Sequence, residues 1–196
     1  MYRACSLIGK NVSPAKHTLF IFKSEVKFMF SVGDTVSYGT QGICKIKEIT
    51  KMTVGKEEKQ YFVLVPIRDE RATVYLPTDN EKLLHNMRTV LSAKEIDKLI
   101  DKAAENIMDW IENDADRKEY CNNVIKSGDR YELLRLIEML YTKREKLKFT
   151  KKHFHISDER YLREAERLLH DEFSYTLNIS KDNVPDYILN RIKNQK

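Results

Sequence analysis

The chain has 196 residues, 35 Lys+Arg against 30 Asp+Glu and a formal net charge of +5. That length suits one domain or two small ones, and 33% charged with 41% hydrophobic residues argues against a disordered chain. Six Gly and four Pro argue against a linker-dominated architecture, no apolar run nears the ~18 residues of a membrane span, and three scattered cysteines (Cys5, Cys44, Cys121) argue against a secreted disulfide scaffold.

Few, odd-numbered cysteines point to a reducing cytoplasm. They are also too sparse for a zinc site unless histidines help, and no Cys lies near the His153/His155 pair in sequence. The basic excess is concentrated at the start. Arg3, Lys10, Lys16, Lys23 and Lys27 stand against Glu25 alone in residues 1–28. That stretch has neither the apolar core nor the cleavage site of a signal peptide. It reads as an N-terminal extension, either an overcalled start with Met29 as the functional beginning or, as the alternative, a basic nucleic-acid arm. The rest of the chain is near neutral, so any nucleic-acid contact must come from local patches.

From residue 29 to about 88 the pattern is β. Phe30, Val32, Val36 and Tyr38 alternate with polar residues, the mark of a half-buried strand. Residues 43–49 predict a second strand, a turn at 54–57 a hairpin, and residues 60–66 a third strand buried on both faces. Residues 72–76 make a fourth, ended by Pro77. Four or five short strands in so short a stretch predict a small, strongly bent barrel of the SH3/Tudor type. Such a barrel binds along an edge or groove and encloses no substrate pocket.

From 92 to 196 the pattern is helical. Ser92-Ala93-Lys94-Glu95 is a capping box. A helix over 115–125 stops at Ser127-Gly128-Asp129, where Gly128 suits a left-handed cap and Asp129 caps the next helix. That helix carries a wide stripe of Leu133, Leu134, Leu136, Ile137, Leu140 and Tyr141. A basic run follows at 143–152, then a helix over 157–173, then a last one opened by Asn183-Val184-Pro185-Asp186. The fold class is α+β: the small barrel followed by a compact all-α bundle of four or five helices.

Chemistry is sparse. Phosphate loops, GxSxG, HExxH and CxxC are missing from the sequence. Acidic pairs such as Asp114/Asp116 and Glu57/Glu58 lie in charge-rich stretches and read as solvated surface. Neither an enzyme nor a cofactor is expected.

Val32-Gly33-Asp34-Thr35-Val36-Ser37-Tyr38, continued by Gly42-Ile43, resembles the opening of the CarD/CdnL/TRCF family. The strand at Tyr61-Phe62-Val63-Leu64 and the run Val74-Tyr75-Leu76-Pro77 are similar to its third and fourth strands. Lys126-Ser127-Gly128-Asp129 before a leucine-rich helix, with the 157–173 helix, resembles the helical domain of the CarD/CdnL branch. The resemblance covers about 29–190, and this chain carries no motor of the translocase branch.

The resemblance implies a stand-alone bacterial transcription factor. Residues 29–88 would dock on the RNA polymerase β subunit by strand-edge pairing. Residues 92–196 would touch promoter DNA at the upstream edge of the bubble, where a tryptophan wedges into the minor groove. Trp110, the single tryptophan, is the expected wedge. Arg117 and Lys118 are the nearest basic candidates, and Lys126, Arg130, Arg160 and Lys143 are further ones. Lys51, Met52, Thr53, Arg71, Tyr75 and Pro77 are expected on the polymerase side. Two departures stand out. Trp110 lies about one helical turn earlier than in actinobacterial members and is followed by acidic rather than basic residues. Met52 and Tyr75 stand where some members carry arginine. The expected protein is a cytoplasmic, nucleoid-associated monomer. The alternative is an RNA-binding or translation-associated factor, using the barrel and the 143–152 run.

Overall fold

The alternating run after Gly33 folds as β1 (Thr35–Tyr38), with Val36 wholly buried. The structure is a computed structural model describing residues 30–55, 57–150 and 152–194. The expected extension, residues 1–28, and Cys5 lie outside the described residues. β2 (Gly42–Val54) and β3 (Glu57–Pro66) form a long antiparallel hairpin whose turn holds Gly55 at φ 70°. That left-handed value suits Gly at a tight hairpin turn. A bulge between Ile46 and Glu48 bends β2. Phe62, Val63 and Leu64 are consecutive and all buried. Successive strand residues face opposite ways, so β3 is covered on both faces as expected. β4 (Val74–Pro77) lies beside β3, and β5 (Met87–Thr89) beside β1.

The sheet order is β4-β3-β2-β1-β5. The expected barrel is therefore not closed by hydrogen bonds. β4 and β5, four and three residues long, are the two outer strands, and no ladder joins them. Between them the chain makes a one-turn helix, α1 (Glu81–Leu84), capped by Asn80, which the sequence pattern did not announce.

The helical half follows its local signals closely. α2 (Ala93–Ala104) opens on the expected capping box: Ser92 Oγ accepts the Glu95 N–H, and the Ser92 N–H donates to Glu95 Oε2 at 2.8 Å. α3 (Asp114–Ser127) ends at Gly128, φ 62°. Asp129 Oδ1 then accepts the N–H groups of Tyr131 and Glu132, opening α4 (Arg130–Thr150). The leucine stripe and most of the basic run thus belong to one long helix. α5 (Ile156–Leu177) and α6 (Val184–Lys193) complete six helices among the described residues. The bundle core is Ile96 and Ile100 of α2, Leu136 and Leu140 of α4, and Leu162, Leu169 and Phe173 of α5. No described helix is long and apolar enough to cross a membrane.

Residues 32–196 form one compact unit, so sheet and bundle pack together. Arginines stitch the seam. Arg88 Nη1 donates to Gly128 O, and Arg167 Nη2 donates to Thr40 O. Arg130 donates to Thr89 O at 2.6 Å and, through Nε, to Glu172 Oε2 at 2.9 Å. The other Glu172 oxygen accepts the Leu91 N–H. Glu172 is buried, and a buried carboxylate stripped of its cation costs about 3–5 kcal/mol. Arg130→Ala therefore lowers stability by about that amount, read as a lower urea midpoint with an unchanged slope. A midpoint equal to wild type would show the pair to be dispensable.

Candidate nucleic-acid interface and protein-docking edge

Trp110 lies in the irregular loop at 105–113, between α2 and α3. It is half-buried and packs against the bundle core. Two cations flank its ring. The Arg117 guanidinium carbon is 4.5 Å from the ring centroid and Lys143 Nζ is 4.6 Å from it. Such contacts hold an indole without removing it from solvent. Lys143 projects from α4 and also lies 3.9 Å from Glu112 Oε1.

Arg117 is only 3% exposed, which sequence reasoning did not foresee. Its Nη1 donates to Ile111 O at 2.9 Å and to Glu112 O at 3.3 Å. Nη2 reaches Asp114 Oδ1 at 2.7 Å, and Nε reaches Asp158 Oδ1 at 3.2 Å. Asp158 is fully buried in the first turn of α5, where the helix dipole favours its charge. Of the three guanidinium groups expected near DNA, Arg160 stays exposed, while Arg117 and Arg130 turn inward, one to the Trp110 loop and one to the seam. Neither side chain is free for a phosphate in this conformation. An isolated sequence position cannot show this, because the partners Asp158 and Glu172 are 41 and 42 residues away.

Lys118, Lys126 and Arg160 keep solvent access. Lys118 pairs with Asp114 at 2.6 Å. That hydrogen bond holds the Asp114 carboxyl below the usual carboxylate range and raises Lys118. Both groups therefore remain charged at neutral pH. Arg160 borders an open groove between α3 and α5, beside Ile125, Phe154 and Ile156. In the basic run, Lys143, Arg144 and Lys148 stand in ion pairs with Glu112, Glu159 and Glu145.

The second surface is the outer edge of the sheet. β4 pairs with β3, and among the described residues its other edge has no ladder partner. At the opposite edge, β5 is tied to the bundle through Arg88 and Thr89 O. Directly paired residues of antiparallel strands share a face. Thr50, Tyr61 and Pro77 are opposite one another across β2, β3 and β4. Strand alternation puts Met52 and Tyr75 on that same face, at 38% and 51% exposure. Lys51 and Thr53 fall on the other face, where Lys51 bridges to Glu58 at 3.1 Å. Arg71 sits in the turn before β4, its N–H held by Asp69 Oδ1. Of the six expected residues, Met52, Tyr75 and Pro77 make one surface, joined by Tyr61, which sequence reasoning missed.

Burial pushes the thiols of Cys44 and Cys121 up, to about 11 and about 12. Both stay protonated at neutral pH, without the thiolate that nucleophilic chemistry needs. Among the described residues no cluster of His, Cys, Asp and Glu is placed to hold a metal.

The family model of the CarD-like/TRCF RID domain matches residues 30–91. RID denotes an RNA polymerase-interacting domain. The match spans the five strands and α1 and ends just before α2. CarD-like proteins are non-enzymatic. No curated protein matches the chain.

Proposed function

We propose that a chain with a CarD-like/TRCF RID domain at residues 30–91 is a CarD/CdnL-type bacterial transcription regulator. In this reading the sheet, 29–88, binds the RNA polymerase β subunit. The helical half, 92–196, contacts promoter DNA at the upstream edge of the bubble and stabilises the open complex. The domain match carries the reading, and two features support it. β4 offers an unpaired edge bearing Tyr75, the form a protein needs to add its strand to a partner's sheet. Trp110 lies outside the RID match, half-buried between two cations.

The mechanism follows from these two surfaces. β4 aligns with a strand of the β subunit. Met52, Tyr75 and Pro77 pack beside that ladder, with Lys51, Thr53 and Arg71 at its rim. Docking raises the local concentration of DNA around the helical half, so an intrinsically weak contact becomes effective. The Trp110 indole then wedges at the melted junction, where a flat aromatic replaces lost base stacking. Lys118, Lys126 and Arg160 supply phosphate contacts. The protein acts as a cytoplasmic monomer bound to polymerase.

The test is anisotropy of the labelled chain titrated with purified polymerase β subunit and, separately, with ribosomal RNA, at low and high salt. Saturable β binding that survives high salt, with weak salt-sensitive RNA binding, is expected. Salt-sensitive RNA binding without β binding would favour the RNA-associated reading.

A further inference from the structure

We infer that Arg117 is the positioning residue of Trp110: its buried fork fixes the loop so that the indole is presented rigidly. The DNA side of this inference rests on the contact proposed for Trp110. Its structural side does not.

The guanidinium has five N–H donors in a fixed plane. In this chain they reach four acceptors that belong to three different segments. Ile111 O and Glu112 O are the two carbonyls directly after Trp110. Asp114 Oδ1 is in the first turn of α3, and Asp158 Oδ1 is on α5. The guanidinium carbon is also 4.5 Å from the indole centroid. One side chain therefore ties the backbone next to Trp110 to two helices and touches the ring itself. Without it, residues 105–113 keep the α3 cap at Asn113, the packing of Ile111 and Met108, the Arg135 Nε hydrogen bond to Asn106 O at 3.3 Å and the long Lys143–Glu112 pair. None of these grips the backbone next to Trp110 from two helices. The ring would keep Lys143, an ammonium on a flexible stem.

The arrangement also accounts for the acidic stretch after Trp110. Asp114 receives Arg117 at 2.7 Å and Lys118 at 2.6 Å. The acid is thus part of the support for the indole, and the phosphate contacts fall to more distant cations. Rigid presentation matters because a mobile indole must be ordered when it binds, and that ordering subtracts from the contact.

Trp110 is the single tryptophan, so its emission reports on the loop without DNA or polymerase. Two variants separate fork from charge. Arg117→Lys keeps a cation but lacks the fork. Arg117→Met with Asp158→Leu replaces the buried pair by apolar groups, which avoids stranding a carboxylate. In both, we expect lower tryptophan anisotropy and stronger acrylamide quenching than wild type, with far-UV circular dichroism and β-subunit binding unchanged. Open-complex lifetime should fall about tenfold, the factor carried by 1.4 kcal/mol.

Wild-type anisotropy and quenching in Arg117→Lys would overturn the inference, whatever the double variant does. If the double variant fails to fold, Arg117→Lys alone decides. A mobile indole together with an open-complex lifetime that even Trp110→Ala leaves unchanged would retain the positioning role and refute the DNA contact instead.

Discussion

Trp110→Ala is expected to return the open-complex lifetime on a fork-junction promoter close to its no-factor value, while β-subunit binding stays at wild-type affinity. The two readouts separate because the RID match ends at residue 91, and Trp110 is beyond it. A base-stacking aromatic is worth about 1–3 kcal/mol by alanine substitution, roughly 5- to 150-fold in lifetime. The fold should tolerate the change. Trp110 is only half-buried and lies at the margin of a core built from Ile96, Leu136, Leu162 and Phe173. Equal lifetimes for variant and wild type would make Trp110 a packing residue. Loss of β binding as well would show that the loop and the sheet are not separable in function.

Paired acidic substitutions on the sheet are expected to act the other way round. Met52→Asp with Tyr75→Asp should weaken β-subunit binding by about 2 kcal/mol, roughly 30-fold, since exposed aromatics dominate such interfaces. Both residues lie on one face, Tyr75 on β4 and Met52 two strands away on β2, and both are exposed, so stability should change little. Lys51→Asp places the same charge on the opposite face, where Lys51 meets Glu58, and serves as the control. Its effect should be smaller. Comparable losses from both would mean that the partner grips the hairpin end rather than the Met52–Tyr75 face. Unchanged binding in the pair would remove this face from the interface.

The differences between sequence and structure have one physical source, the range of the interactions involved. The capping box at Ser92, the left-handed Gly128 and the Asp129 cap act within four residues, and each was legible in the sequence. So was β3, because a continuous apolar run signals burial on both faces. Sheet closure was not, since whether β4 meets β5 depends on bend and strand length together. α1 carried no periodic signal in its single turn. At the candidate site, Trp110 was legible as the lone tryptophan beside a helix start. The inward turn of Arg117 and Arg130 was not. An arginine in sequence looks the same whether it faces a phosphate or a carboxylate brought in from another helix. Asp158 and Glu172 supply those carboxylates, and no local pattern points to them.

In the proposed function, docking on polymerase brings Trp110 to the upstream edge of the bubble. The most direct test of that placement is crosslinking with a photoreactive benzoylphenylalanine at position 110, in open complexes on end-labelled promoter DNA. Adducts are expected at the upstream junction, requiring polymerase and vanishing with Met52→Asp/Tyr75→Asp. Adducts spread evenly along the duplex, or formed equally without polymerase, would contradict it.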